Sequence, residues 1–165
     1  MNVEQFKNGI LNLSNRELAS VANKVAEELP VDYKGVLIRA VRILQVKDKK
    51  SGLLKKIELA SSKNKRWMNA RSRADFFCTL GQIRPKDFRY LLVIMFWKDV
   101  IVAAFFDKSN LQSLPGYKPY QHRDSRGMSQ VTLERYCFSK FGEKCLFMKT
   151  LTYSKLKLLM EGGLA

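Results

Sequence analysis

The sequence has no apolar run long enough to cross a membrane as a helix. Its most apolar stretch, residues 90–106, is interrupted by Lys98 and Asp99, and each half is too short to span a bilayer. Residues 1–13 contain no basic segment followed by an apolar run, so we expect no signal peptide. Together these absences predict a soluble protein of the cytoplasm.

Cysteine and histidine are scarce. The three cysteines, Cys78, Cys137 and Cys145, form no CxxC pair, and their odd number argues against a disulfide framework. With His122 as the single histidine, a structural zinc site is not expected, and no cysteine has an adjacent histidine to activate it as a nucleophile. The GxGxxG, P-loop and GxSxG motifs are also missing, so the sequence lacks these signatures of nucleotide and hydrolase sites.

Acidic residues are few relative to basic ones. The 165 residues include 30 Lys and Arg but 15 Asp and Glu, which gives a net charge of +15, while 46% of the residues are hydrophobic. This length and apolar fraction predict one globular domain. Basic residues occur from the first helix to the last, several of them beside aromatic residues, which predicts nucleic acid as the partner. A solubilising charged surface and a membrane surface are the alternatives.

The first quarter of the chain is predicted to be helical. Residues 14–17, Ser-Asn-Arg-Glu, have the form of a capping box, and apolar residues recur behind them at helical spacing as far as Leu29. Pro30 ends this helix.

Residues 36–46 are rich in Val, Ile and Leu, and Arg39 and Arg42 are their only charges. Periodicity alone leaves both a helix and a buried strand open. We favour a helix that passes into a strand near Ile43.

The middle of the chain alternates between apolar and polar segments. We predict a turn over residues 49–52, a strand over 53–59, an exposed basic loop over 61–69, and a helix over 70–80 that Gly81 ends.

Two apolar runs give the strongest β signal. Residues 89–97 and 100–106 are rich in β-branched and aromatic residues and are separated by Lys98 and Asp99, which predicts a hairpin. Because both runs are almost continuously apolar, we expect the sheet to be covered on both faces.

Further elements follow the hairpin. We predict a long loop over residues 111–127, strands over 133–138 and 145–149, and a C-terminal helix capped by Ser154. The order of elements predicts an α+β (mixed α/β) domain with a central mixed β-sheet flanked by helices.

Acidic residues lie on either side of the turn at 49–52. Asp48 precedes the turn and Glu58 lies in the following strand. A metal-dependent nuclease needs two or more oxygen ligands on a rigid sheet. These two acids, Trp67, the segment Leu80-Gly81-Gln82-Ile83-Arg84-Pro85 and residues 87–93 resemble the restriction-endonuclease-like, or PD-(D/E)xK, superfamily, and within it small type II restriction endonucleases. The resemblance covers roughly residues 45–106.

The resemblance implies one domain over residues 1–165 with a restriction-endonuclease-like fold. N-terminal helices would occupy 1–44, a nuclease-like core 45–106, and a basic loop with C-terminal strands and a helix 107–165. A helix would carry the Gln-Ile-Arg-Pro segment into a core strand. Glu58 and Asp48 would hold Mg²⁺ or Mn²⁺ for hydrolysis of double-stranded DNA. A homodimer is implied, because cutting both strands needs two sites.

Position 60 departs from the family pattern, because Ala60 stands where the motif has a lysine. That lysine orients or activates the attacking water and stabilises charge on the phosphate, and an alanine does neither. Three explanations stay open: an inactivating substitution at position 60, a cation supplied from elsewhere, for which Lys63 is the nearest candidate, or a descendant that does not cleave.

Geometry limits the predicted metal site. A hairpin with a three-residue turn at 50–52 places Asp48 and Glu58 on one face but about 13 Å apart along the strands. One metal ion bridges that distance only if a bulge or bend brings the acids together. Otherwise Asp48 is a turn aspartate and Glu58 a strand glutamate paired to a lysine. Gln82 either lines the site or bonds backbone at a helix C-terminus.

Basic residues form two clusters suited to phosphate contacts. The first surrounds Trp67, which would stack on or wedge against a base, unless it lies in the core beneath a solvated charged face. The second lies in the long loop, where His122 is either a contact or merely solvated. The predicted nucleic-acid-binding residues are Lys65, Arg66, Trp67, Arg71, Arg73, Lys118, His122, Arg123 and Arg126.

The sequence therefore predicts a Mg²⁺-dependent, type II restriction-type endonuclease acting on DNA, with Glu58, Asp48, Ala60, Lys63 and Gln82 as the candidate catalytic positions. A non-catalytic DNA-binding protein on the same fold and an RNA-binding protein are the alternatives.

Overall fold

A computed structural model describes residues 1–32, 34–43, 45–47, 54–56, 76–96, 100–114, 116–119, 128–134 and 145–162. Over these residues the helices are α1 (Val3–Leu11), α2 (Asn15–Glu27), α3 (Lys108–Gln112) and α4 (Tyr153–Met160), and a 3-10 turn spans Pro85–Asp87. The strands are β1 (Val36–Arg42), β2 (Gln45–Lys47), β3 (Leu54–Lys56), β4 (Phe76–Ile83), β5 (Tyr90–Phe96), β6 (Val100–Asp107), β7 (Tyr117–Lys118), β8 (Ser129–Glu134) and β9 (Phe147–Thr152).

The strands form two sheets. The first has the order β1-β5-β6-β9 and is mixed, because β1 runs parallel to β5 while the other pairs are antiparallel. The second has the order β3-β2-β4-β8-β7, and each of its described pairings is antiparallel. The predicted α+β class is confirmed.

The β5–β6 hairpin occupies the middle of the first sheet, paired from Tyr90↔Asp107 to Phe96↔Ile101. One face of β5 and β6 packs with the second sheet, and the other packs with helices α1, α2 and α4. Residues 91–96 are at most 1% exposed. The predicted hairpin and its coverage on both faces are confirmed. Helices α1, α2 and α4 cover only one of those faces, however, since the second sheet, with Leu111 of α3, covers the other.

The predicted N-terminal helix is confirmed as α2. Ser14 accepts a hydrogen bond from the Glu17 amide at 3.2 Å, and the Glu17 carboxylate accepts one from the Ser14 amide at 2.7 Å. The helix ends at Glu27, before Pro30. None of the helices over the described residues is both long and apolar enough to cross a membrane.

The helix favoured from residue 36 to about Ile43 is wrong, because residues 36–42 form strand β1, whereas the strand expected after Ile43 is present as β2 over residues 45–47. The two arginines, three residues apart, lie on opposite faces of β1. Arg39 donates to the Gly81 carbonyl at 3.0 Å on the second-sheet side, and Arg42 donates to the Leu13 carbonyl at the end of α1. Each charge in this half-buried strand therefore has a backbone acceptor, which the spacing did not reveal.

The helix predicted over residues 70–80 is wrong over 76–80, which belong to strand β4, and Gly81 lies within that strand. Strand β4 pairs with β8, from Phe77↔Glu134 to Ile83↔Ser129, and its Phe-Phe-Cys-Thr start suits a strand. The Gln-Ile-Arg-Pro segment is accordingly not on a helix, because β4 runs to Ile83 and Pro85 begins the 3-10 turn.

Several boundaries differ in the second half. Residues 111–112 end helix α3 and 117–118 form β7, so the predicted loop over 111–127 contains regular structure. Strand β8 begins at Ser129, four residues before the predicted start, and β9 occupies 147–152. Thr152, rather than Ser154, caps α4 by accepting from the Lys155 amide at 3.2 Å. Strand β3 confirms part of the strand predicted over 53–59, and the turn at 49–52 and the loop at 61–69 lie outside the described residues.

Gly116 provides a test of this packing. A Cβ atom at Gly116 would lie 2.2 Å from the Thr132 carbonyl oxygen, whereas a Cβ at Gly9 in α1 meets nothing within 4 Å. We expect Gly116→Ala to lower the free energy of unfolding by at least about 1 kcal/mol, because backbone must move. Gly9→Ala should raise it by about 0.5–1 kcal/mol, since alanine is the better helix former. Urea denaturation measures both, and equal stability of the two variants would contradict the close β7–β8 approach.

Candidate nucleic-acid interface

Most of the predicted site residues lie outside the described residues. This holds for four candidate catalytic positions, Asp48, Glu58, Ala60 and Lys63, and for most of the predicted nucleic-acid contacts, namely Lys65, Arg66, Trp67, Arg71, Arg73, His122, Arg123 and Arg126. The structure describes two of the predicted residues, Gln82 and Lys118. The predicted metal site therefore stays a prediction.

The register of the β2–β3 hairpin bears on the geometry expected for the two acids. A three-residue turn at 50–52 requires Lys47 to lie opposite Lys55. Instead, Lys47 pairs with Leu54, Val46 with Lys55 and Gln45 with Lys56. A shift of one residue in the register of a strand moves each of its side chains to the other face of the sheet, relative to the partner strand. Asp48 and Glu58 themselves lie outside the described residues, so the expectation that they share a face stays a prediction.

The net charge of the protein is divided unequally between the helical segments and the rest. Residues 1–32 and 153–165, which contain α1, α2 and α4, carry five Lys and Arg against six Asp and Glu. Residues 33–152 carry 25 Lys and Arg against nine Asp and Glu. Basic residues do occur in the first and last helices, but acids there balance them. The positive excess therefore belongs to residues 33–152, whose described part consists mainly of strands and their connections.

Lys118 is exposed at the edge of the second sheet, in β7. Its backbone is fixed on both sides. Gly116 approaches the β8 backbone and accepts a hydrogen bond from the Thr132 amide at 2.9 Å. The Tyr117 hydroxyl donates to the Ser129 hydroxyl at 2.9 Å, which in turn donates to the Pro119 carbonyl at 3.1 Å. Lys118 thus projects from a rigid position, which suits a fixed phosphate contact.

Gln82 lies at an irregularity in β4. Its φ of +54° is in the left-handed region, its side chain is exposed, and the β4–β8 register shifts between Leu80 and Ile83. The alternative that placed Gln82 at a helix C-terminus is wrong, because it belongs to a strand. Bulges of this kind re-aim a side chain and are frequent beside functional sites.

Arg39 supports this irregularity from the first sheet. Its guanidinium donates to the carbonyl of Gly81, the residue before Gln82. Burial lowers the pKa of Arg39 from its usual value, but an arginine keeps its charge in proteins. The sequence did not single out Arg39 as a site residue. The one signal in the sequence was that Arg39 is charged while its neighbours in β1 are apolar.

The residues that flank the two predicted basic clusters lie at opposite ends of β4. Lys118 pairs with Gln130, next to the Ser129↔Ile83 pair at the end of β4. Phe76, which follows the segment containing the first cluster, begins β4. The strand separates these two points by about 23 Å at 3.3 Å per residue.

The described residues contain no group of three or more His, Cys, Asp or Glu side chains that could hold a metal ion. Because Asp48 and Glu58 are not among those residues, the predicted Mg²⁺ site is not tested. Burial raises the pKa of Cys145 to about 12, so this thiol is protonated at neutral pH. This agrees with the prediction that no thiol acts as a nucleophile, as far as Cys145 is concerned.

Comparisons with known proteins add nothing to this geometry, because no family model, curated protein or solved structure matches the chain.

The positive φ of Gln82 yields a prediction. A non-glycine residue in the left-handed region costs about 1–3 kcal/mol, and a β-branched residue tolerates it least. We expect Gln82→Gly to keep the free energy of unfolding within about 1 kcal/mol, whereas Gln82→Val should lose about 1–2 kcal/mol more. Urea denaturation compares the two, and equal losses would show that the backbone at Gln82 is not constrained.

Proposed function

We propose that this protein binds nucleic acid, with duplex DNA as the preferred partner, through its strands and their connections. The observation that carries the proposal is the unequal division of charge, since residues 33–152 hold the entire positive excess. A polyanion neutralises such a surface and releases counterions on binding, which supplies affinity. Lys118 adds an exposed cation whose backbone is fixed by its neighbours, so a phosphate contact there requires no ordering of the backbone.

A membrane surface explains the charge less well. Interfacial helices that bind anionic lipids carry many Lys and Arg on one polar face. No helix in the described ranges has more than two basic residues, and the segments containing α1, α2 and α4 are balanced in charge. A merely solubilising surface requires no separation of charge between the helices and the strands.

Hydrolysis of DNA is the finer part of the proposal and rests on the resemblance to type II restriction endonucleases. Glu58 and Asp48 would hold Mg²⁺ or Mn²⁺, and a homodimer would cut both strands. The restriction-endonuclease-like arrangement belongs to this finer part as well. Ala60 is the main obstacle, since an alanine provides no cation beside the attacking water.

Binding should depend steeply on salt. We expect the affinity for a labelled duplex of about 20 base pairs to fall by roughly 10³–10⁵ between about 50 and 200 mM salt, as for six to ten neutralised phosphates. Fluorescence anisotropy measures this, with single-stranded RNA of equal length as the comparison. A flat salt dependence or no binding would contradict the proposal. Tighter binding of RNA would favour the RNA-binding alternative.

Cleavage is tested with supercoiled plasmid in Mg²⁺ or Mn²⁺. We expect Ala60→Lys to produce discrete cuts, because it restores the cation that the motif uses, and we expect the unchanged chain not to cut. Adding Glu58→Gln to that variant should abolish cutting, since one metal-ligand charge is lost.

Two other outcomes of the plasmid assay are informative. Cutting by the unchanged chain would place the catalytic cation elsewhere, and Lys63→Ala would then be examined. Tight duplex binding without cutting by either chain would reject hydrolysis and leave a DNA-binding protein.

A further inference from the structure

Three separate segments meet at one end of the first sheet. They are the turn before β1, the 3-10 turn that leads into β5, and the junction between β6 and α3. The amides of Arg89 and Tyr90 both donate to the Gly35 carbonyl, at 2.9 and 3.2 Å, and the Lys108 amide donates to the Arg89 carbonyl at 3.1 Å. Backbone hydrogen bonds therefore fix the three segments relative to one another.

These segments bring basic residues together that are far apart in the sequence. We call them the basic end, and they are Lys34, Arg84, Lys86, Arg89 and Lys108. All are exposed except Lys108, which is half-buried. None belongs to the two clusters that the sequence singled out. Three basic residues within six positions around Pro85 are a partial signal in the sequence, but the convergence of Lys34 and Lys108 is visible only in the fold.

Aromatic rings hold two of these cations in place. The Arg89 guanidinium carbon lies 5.4 Å from the centre of the Tyr90 ring, and the Lys108 ammonium lies 5.7 Å from that of the Phe88 ring. Within the described part of the chain, no residue of the basic end forms an ion pair within 4.0 Å. Because a ring attracts the cation without pairing its N–H groups with a carboxylate, these N–H groups stay available to other hydrogen-bond acceptors.

Two acids reduce the positive charge but do not cancel it. Asp87 and Asp107 lie among the five cations. The Asp107 carboxylate accepts from the Ser109 amide at 2.8 Å and from the Ser109 hydroxyl at 2.7 Å. These hydrogen bonds, with smaller contributions from Arg89 and Lys108, lower the pKa of Asp107. The Asp107 carboxylate is thus hydrogen-bonded to Ser109. With five cations and two acids, this end of the sheet keeps an excess of positive charge.

The basic end continues onto the second sheet. Strand β4 finishes at Ile83, directly before Arg84, and Ile83 pairs with Ser129. Lys118 pairs with the next residue of that strand, Gln130. Both sheets therefore present cations at the same end of the molecule.

We infer that the basic end and Lys118 form one phosphate-contacting surface for duplex DNA, separate from the Trp67 cluster. The inference rests on the proposed function and adds where the duplex lies. Cations held in fixed positions lose little conformational freedom on binding, and an arginine guanidinium matches the oxygens of a phosphate. An acidic protein or an anionic vesicle could use the same cations, so the test includes them.

The test compares two triple variants that remove equal charge. The first carries Lys34→Gln, Arg89→Gln and Lys108→Gln. The control carries Arg16→Gln, Lys24→Gln and Lys155→Gln, all exposed residues of the helical segments. Duplex affinity is measured by anisotropy at several salt concentrations. Each lost phosphate contact reduces the slope of log affinity against log salt by about 0.9, so we expect a reduction of about 2.7 for the first variant and little change for the control.

The outcomes separate the inference from the proposed function. If the unchanged chain does not bind duplex DNA, both the proposed function and the inference are rejected. If it binds and the two triple variants have equal slopes, only net charge matters and the inference alone is overturned. Tighter binding of the unchanged chain to phosphatidylserine vesicles or polyglutamate than to duplex would also overturn it.

A smaller variant protects the test against loss of folding. Lys34 is exposed and contributes no described side-chain contact, so Lys34→Gln should keep the unfolding midpoint in urea and still reduce the slope by about 0.9. Arg89→Lys should restore most of the slope lost in Arg89→Gln, because it returns the charge. An unchanged slope in Lys34→Gln together with an unchanged slope in Arg89→Gln would reject the surface.

Discussion

The burial of both faces of the β5–β6 hairpin is the constraint on which the rest of the structure depends. A hairpin that is apolar on each side needs a covering layer on each side. Here α1, α2 and α4 provide one layer and the second sheet provides the other. Because β5 and β6 are buried on both sides, residues 91–96 and 100–106 contain no charged side chain. Five basic residues lie instead around one end of this hairpin, namely Lys34, Arg84, Lys86, Arg89 and Lys108.

Strand β1 shows how the same constraint handles charge at the edge of the middle layer. Arg39 and Arg42 point to opposite layers, and each donates to a carbonyl group in the layer that it meets. Arg39 ties β1 to the irregular part of β4, and Arg42 ties it to the end of α1. These two arginines thus connect the three layers by hydrogen bonds, in addition to the apolar contacts.

The sequence predicted the elements whose signals are local. Ser14 and Glu17 identify the start of α2 through their mutual hydrogen bonds, and two apolar runs identify the β5–β6 hairpin. It failed where pairing across the sheet decides the structure, as in β1 and β4. Two arginines three residues apart in β1, and the spacing of Ala74, Phe77 and Leu80, also suit a helix. Among the site residues, Lys118 is exposed and its contact with nucleic acid stays a prediction, whereas the convergence of Lys34, Arg89 and Lys108 depends on contacts distant in sequence. The expectations for Asp48 and Glu58 stand where the sequence left them.

The separation of balanced helices from basic strands has an electrical consequence. Among the described residues from Lys34 to Thr152, twelve are Lys or Arg and three are Asp or Glu, while α1, α2 and α4 lie together against one face of the first sheet. The described part of the molecule therefore has an electric dipole that points away from its helical layer. In the field of a polyanion such a dipole experiences a torque before any contact forms. The protein would therefore approach the polyanion with its strands facing the polyanion and its helices on the far side.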